Sequence, residues 1–397
     1  MLIRKKYLNR IRPYYNSELI KVITGIRRSG KSTILKQIIS EIKTEINDDS
    51  RIIFYDFEDF SNEKYQNNPH EFYNVITRQL SNKDKNYVFL DEIQYMKDFE
   101  KVIASIRKLN CSLFVTGSNS KLLSGELASV LTGRVIEFRV QPFSYSEASE
   151  YMQTDNDEFF DDYLKFGGFP LRYEEQNTDA FLFSKNLYDA ILDRDIFSRH
   201  VIEDKNKFKN FASYVMLHSG ETISTESIEK YTEKAGDKIS KSTGYQYLDY
   251  MEEAFLNNCC YRYDISGKQM LSTKKKYYAV DTSLIRIQKD SDNQNLGFLL
   301  ETLVFNELVS RGFSVSIGKT YKGEVDFVVS SGKNICYIQV CYLLASEEII
   351  AREFGAFSSI RDSYPKYVIS MDKTDMSRNG IKHINIRDFL LDDSCIG

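Results

Sequence analysis

The sequence predicts an α/β protein whose N-terminal part is a parallel sheet covered by helices, and three observations carry that expectation. Five short runs, "LIKVIT" (19–24), "RIIFYDF" (51–57), "NYVFLDE" (86–92), "SLFVTGS" (112–118) and "RVIEFRV" (134–140), are continuously rather than alternately apolar, as strands buried on both faces are. Between the first two, "STILKQIISEIKTEI" sets Ile34, Leu35, Ile38, Ile39, Ile42 and Ile46 on one helical stripe. A chain of 397 residues exceeds the roughly 250–300 at which a single core stops growing, so several domains are expected.

The pattern divides the chain into four parts: the sheet domain over 1–145, a mainly helical lid or linker over 146–215, a module of two amphipathic helices over 216–261, and a C-terminal α/β domain over 262–397. Within the second part "FGGFP" (166–170) reads as a turn. In the third, Ile223, Ile228 and Tyr231 form the inner face of one helix; Ser240 caps the next, whose inner face carries Tyr245, Leu248 and Phe255. In the last, a helix is expected over 296–312, strands at 313–318, 325–330, 334–340 and 366–370, and a helix over 346–361.

Hydrophobic content of 42% and charged content of 28% are those of a folded, soluble chain. Arg and Lys scattered through "MLIRKKYLNRIR" leave no stretch for a signal peptide, and no later run is long enough to span a membrane. A cytoplasmic protein with no membrane partner is therefore expected. Its six cysteines lack metal-ligand spacing and read as reduced structural thiols. A net charge of −4 confines any nucleic-acid contact to a local basic patch.

"GIRRSGKS", Gly25 to Ser32, fits G-x-x-x-x-G-K-[ST], directly after one strand and at the start of a helix. In that setting the backbone amides around Arg27, Arg28, Ser29, Gly30 and Thr33 converge on a phosphate at the positive end of the helix dipole. Lys31 supplies a charge to the β- and γ-phosphates and the Ser32 hydroxyl a ligand to Mg²⁺. Gly25 and Gly30 allow the close approach that a Cβ blocks. Arg27 and Arg28 have a plainer reading as loop-surface charges.

"YVFLDEIQ" (87–94) ends a strand in two acids. Asp91 can hold Mg²⁺, and Glu92 can orient and deprotonate an attacking water. "FVTGSNS" ends a further strand in Thr116, Ser118 and Asn119. If that strand lies between the other two, Ser118 or Asn119 can touch the γ-phosphate or the water.

Together with "LTGRVIEF", these motifs resemble the AAA+-type P-loop ATPases that carry an additional catalytic glutamate, and the resemblance implies that the sensor strand lies between the two Walker strands. With "YLKFGGFP" and "YIQVCYLL…DSYPKYVISMD" as well, nearly the whole chain resembles a bacterial and archaeal family that fuses such an ATPase to a C-terminal domain of unknown function with a nuclease-like fold. The resemblance implies ATP rather than GTP. It also casts Arg134 as an arginine finger reaching a neighbouring subunit of a homo-oligomer, beside its reading as a helix-end arginine on a solvated face.

If 216–261 is a winged helix, residues 238–247, with Lys238, Lys241, Ser242, Thr243 and Gln246, would face DNA. Across 221–250 six acidic residues outnumber four lysines, however, and a protein-binding module is the competing reading. The C-terminal domain resembles the PD-(D/E)xK nucleases, with Glu301, Asp326 and Gln339 at the ligand positions. Cys341 stands where the catalytic lysine would, so the domain is expected to be degenerate and to bind a protein partner, unless Lys319 or Lys322 substitutes. Three functions follow: a Mg²⁺-dependent ATPase driving its attached domains, a nucleotide-gated DNA- or protein-binding switch with negligible turnover, and an ATP-dependent nuclease.

Overall fold

The computed structural model describes residues 2–81, 84–120, 133–175, 179–235, 239–288 and 296–396. They form two compact units, residues 1–141 with 253–255, and residues 142–252 with 256–397.

The first unit is a five-stranded sheet of β1 (Ile20–Thr24), β2 (Ile52–Asp56), β3 (Asn86–Asp91), β4 (Cys111–Gly117) and β5 (Val135–Arg139), in the order β2-β3-β4-β1-β5. Every pairing is parallel. Successive side chains along a strand point to opposite faces, and both faces are covered. Val22, Val88, Leu90 and Val115 pack under the helices Pro69–Gln79 and Phe99–Ile106. Ile23, Phe89 and Phe114 pack under α1 (Lys5–Ile11) and α2 (Lys31–Ile46). This two-sided burial is why the strands read as unbroken apolar runs. The expected stripe on α2 is buried at Ile34, Leu35, Ile38 and Ile42 and half-buried at Ile39 and Ile46.

Lys21 breaks that pattern. It lies fully buried in β1, donating from Nζ to Ser112 Oγ (2.6 Å) and to the Ser17 carbonyl (3.1 Å) above the Phe114 ring. Burial brings its pKa down from 10.5 to about 7, and the nearby Lys85 charge adds to the shift. Between those two values the unfolded chain holds a proton that the folded chain has lost, so stability rises with pH across that window and is lowest below it. Lys21→Met should remove this rise, which is on the order of a few kcal/mol. Urea unfolding at several pH values checks it, and equal pH slopes in the two proteins would refute the assignment.

The second unit combines helices with a mixed seven-stranded sheet. Its strands are β6 (Asn257–Asp264), β7 (Gln269–Ala279), β8 (Ser314–Lys319), β9 (Glu324–Ser331), β10 (Asn334–Val340), β11 (Lys366–Ser370) and β12 (Lys382–Asn385), in the order β12-β11-β10-β9-β8-β6-β7. The boundary expected between 261 and 262 therefore falls inside β6. Ladder pairing across β6, β7 and β8 outweighs the local change of pattern that suggested it. Leu296–Ser310 is the central helix of this part, and the helix expected over 346–361 is α-helical at Glu347–Gly355 before tightening into a 3₁₀ turn at Ala356–Ser359.

The "FGGFP" turn caps the helix Asp157–Phe166 at Gly167. There Gly168 N donates to the buried Asp281 carboxylate at 2.8 Å, and a Cβ on Gly167 would fall 1.8 Å from that carboxylate. Ile228 is buried as expected, and Ser240 Oγ accepts the Thr243 amide. The inner face of the helix Lys241–Glu253 is Gly244, Tyr247, Leu248 and Met251, whereas Tyr245 is turned outward. Tyr245 and Leu248 share a face only loosely at three-residue spacing, and the buried stripe follows Gly244, against which Ile228 packs closely. Among the described residues, no helix is long and apolar enough to cross a membrane.

Candidate active site

The loop after β1 is wound by left-handed residues. Gly25 has φ +143°, Arg28 +66° and Gly30 +95°, and a Cβ at Gly25 would meet the Val140 carbonyl at 2.1 Å. Such a winding turns successive amides toward one centre, and α2 begins at Lys31 immediately beyond it. Lys31 Nζ lies 3.3 Å from the Ile26 carbonyl and 3.3 Å from Glu92 Oε1. From α1's N-cap the fully buried Arg4 braces the loop, donating to the Ser29 carbonyl (3.0 Å) and to the Gln141 carbonyl (3.1 Å). Nothing in "LIRKK" signals that role, because both acceptors are main-chain oxygens far off in sequence.

The carboxyl end of β3 presents Asp91, and Glu92 follows at φ +50°. Thr116, on the neighbouring β4, ties the two acids together: its hydroxyl donates to Asp91 Oδ1 and accepts the Glu92 amide at 2.8 Å. The Ser32 side chain faces Asp91 and acts to lower its pKa. Gln94 Nε2 donates to Glu92 Oε2 and to Ser118 Oγ, the latter at 3.3 Å. Ser118 and Asn119 are both buried just past β4, and β4 does lie between β3 and β1. Thr116 thus makes a direct link to both acids. A third acid, Asp56, ends β2 in register with Asp91.

The environment drives these carboxyls apart. Burial pushes Asp91 up to about 6, against the Thr116 hydrogen bond and the Ser32 side chain and assisted by the charges of Glu92 and Asp56. Burial pushes Glu92 the same way, but the Lys31 charge, Gln94 and Arg27 outweigh it and hold it below the usual carboxylate range. Asp56 is raised, first by burial. Glu92 is therefore an anion beside an ammonium, while Asp91 is a carboxyl that a cation would bring down. Hard oxygens from Ser32 and Asp91 suit Mg²⁺, which takes one or two protein ligands and completes its shell with water and substrate phosphates. Among the described residues no group of three or more His, Cys, Asp or Glu gathers as an all-protein metal cage.

Of the two loop arginines, one departs from the surface reading and the other keeps it. Arg27 is no surface charge: it is 7% exposed and pairs with Glu58 Oε1 at 2.8 Å and the Tyr95 hydroxyl at 2.9 Å. Arg28 is exposed, so its main chain, not its side chain, bears on the loop. Ser29 is fully buried, and Gly30 and Thr33 are half-buried at the helix entrance. Arg134 is exposed in the turn that leads into β5, not at a helix end among the described residues. Its carbonyl accepts the Ile20 amide at the start of β1 (2.9 Å), which is the opposite end of the parallel strands from the loop. Arg134 is not brought to this site.

In the second unit Glu301, Asp326 and Gln339 do come together, joined by Lys276, whose burial nothing in the local "KKK" run signals. Lys276 Nζ bridges Glu301 Oε1 (3.2 Å) and Glu324 Oε1 (2.8 Å). The Asp326 carboxylate accepts the Val340 amide at 2.8 Å, and Gln339 Oε1 accepts the Asp326 amide at 3.3 Å. Burial, then the Glu301 charge, raises Asp326 well above its usual range. Lys319 and Lys322 are exposed. The Cys341 thiol is pushed up to about 12 by burial and is no substitute for an ammonium. Lys241 is paired with Glu229 at 2.8 Å; Ser242 and Gln246 are exposed and Thr243 half-buried, and Lys238 lies outside the described residues.

Residues 17–149 match the AAA-domain family, and residues 157–295 match a domain of unknown function. An uncharacterized protein of Haemophilus influenzae is 31% identical over 98% of this chain and 99% of its own length. Another, from Methanocaldococcus jannaschii, is 32% identical over 86% of this chain and 79% of its own. Among solved structures, the Walker-type ATPase of Pyrococcus abyssi superposes with a TM-score of 0.50 at 15% identity, covering 72% of this chain and 96% of that one. At that identity the likeness shows the fold alone.

Proposed function

The chain belongs to the same family as the Haemophilus influenzae protein, with an AAA domain over 17–149, and from that premise we propose that it is a Mg²⁺-dependent ATPase whose cycle acts through its C-terminal unit. The observation that carries this reading is the meeting of Lys31, Ser32, Asp91 and Glu92 at one strand-to-helix junction. The loop amides and Lys31 hold the triphosphate. Ser32 and Asp91 hold Mg²⁺, which supplies charge neutralisation at the phosphate oxygens. Arrival of the triphosphate draws the Lys31 ammonium from Glu92. That carboxylate then accepts a proton from water as its oxygen bonds to the terminal phosphorus, and ADP leaves with the electron pair of the broken P–O bond. Ser118, which shares Gln94 with Glu92, and Asn119, buried next to it, are the side chains proposed to orient that water. Steady-state phosphate release from ATP with Mg²⁺ tests the proposal, and a protein that binds ATP but releases no phosphate would instead be the nucleotide-gated switch.

The order of elements from 205 to 279 supports a winged-helix reading of the second unit's middle part. Three helices, Lys205–Leu217, Thr225–Ala235 and Lys241–Glu253, precede the β6–β7 hairpin, and Thr222 bridges to Lys276 on β7. We read the C-terminal sheet as a nuclease-like core that has lost its chemistry. The ammonium of Lys276 stands among the acids where a metal ion would have to sit, and the other acceptors are turned onto backbone amides. Supercoiled plasmid incubated with the protein, ATP and Mg²⁺ or Mn²⁺ should stay intact, and nicking above that of a Glu301→Ala control would overturn this reading. The role left to the unit is recognition of DNA or of a protein partner.

A further inference from the structure

We propose that Arg27 is the residue by which this site tells a nucleoside triphosphate from a diphosphate, an inference that rests on the ATP-binding reading above. Arg27 belongs to the phosphate loop, yet its guanidinium reaches toward the carboxyl ends of β2 and β3, where Glu58 and Tyr95 hold it. Nη1 lies 2.8 Å from Glu58 Oε1, Nη2 donates to the Tyr95 hydroxyl at 2.9 Å, and that hydroxyl donates to the same Glu58 oxygen at 3.1 Å. Tyr95 stands one turn beyond Glu92, its amide bonded to the Glu92 carbonyl at 3.2 Å. The guanidinium is thus anchored to the segment that follows Glu92, and its charge acts on that carboxylate; in the proposal this is the side on which a third phosphate arrives.

Arg27 and Glu58 differ sharply in exposure. The Arg27 side chain is 8% exposed and that of Glu58 is 39% exposed, so the carboxylate can turn into water at little cost while the guanidinium cannot. A terminal phosphate offers a planar donor fork two or three charged oxygens and competes well for it. A diphosphate ends short of that position and leaves the Arg27–Glu58 pair closed. Tyr95 remains a partner in both states, guiding the guanidinium between them.

The inference predicts opposite effects from the two halves of one ion pair. Calorimetric titration of the full chain, with Mg²⁺, would compare ADP with a non-hydrolysable ATP analogue. Arg27→Ala should weaken the analogue by about tenfold or more, the scale of a lost charged fork, and leave ADP within about twofold. Glu58→Gln should tighten the analogue severalfold by removing the competitor, again sparing ADP. A simple latch that shapes the loop predicts otherwise: both substitutions would weaken both nucleotides. That result, or unchanged analogue binding in both variants, overturns the proposal while the ATP-binding reading stands. Unaltered protein that binds neither nucleotide removes both. If Arg27→Ala fails to fold, Glu58→Gln decides alone, since tightened analogue binding supports the proposal and unchanged or weaker binding refutes it.

Discussion

Glu92→Gln should leave ATP binding intact and slow hydrolysis by about 10²–10⁴-fold, the usual contribution of a positioned general base. The amide keeps the volume and one acceptor oxygen of the carboxylate but cannot take a proton. It also removes the anion that holds the Lys31 ammonium at 3.3 Å, so ATP affinity should hold or improve. Single-turnover phosphate release alongside equilibrium titration separates the two effects. Equal turnover in the variant and the unaltered protein would move the base elsewhere, and Asp56, raised by burial at the end of β2, is the next acid in reach.

The second large effect is on binding. Lys31→Ala should cost about 2–5 kcal/mol of nucleotide affinity, the range for removing one partner of a desolvated charge pair, which is enough to abolish binding at ordinary nucleotide concentrations. It also strands Glu92, which is 7% exposed, without the ammonium that offsets its burial, so the variant should melt earlier. Adding Glu92→Gln should restore much of that loss of stability without restoring binding, because the amide carries no charge that needs a partner. Thermal melts of the four proteins in this cycle check the coupling. Additive losses would mean that the two side chains are not paired in solution.

Much of this site was legible from residue order. The glycines at 25 and 30, the lysine and serine after them, and the acid pair closing an apolar strand are local signals, because each residue's role depends on a strand-to-helix junction formed by its own neighbours. The continuous apolar runs likewise marked strands covered on both faces. Thr116 was visible as a polar strand end, but its link to both acids was not, since that rests on the register of β4 against β3. Arg27 looked like a surface charge for a related reason: its partners Glu58 and Tyr95 lie on two other loops.

By itself, then, the amino-acid order determined the doubly buried strands of a parallel sheet, a glycine-framed loop at a strand-to-helix junction and an acid pair closing another strand, since period, glycine placement and strand-end chemistry are short-range properties of the chain, whereas the placing of β4 between those two strands is not. Only the tertiary structure decided which charges are buried and with what. Lys21 under the sheet, Arg4 behind the loop, Arg27 on Glu58 and Lys276 among the acids of the second unit are all lysines and arginines that a linear reading assigns to solvent. Each is taken out of water by elements distant in sequence, and the partner that compensates its desolvation is supplied by the fold.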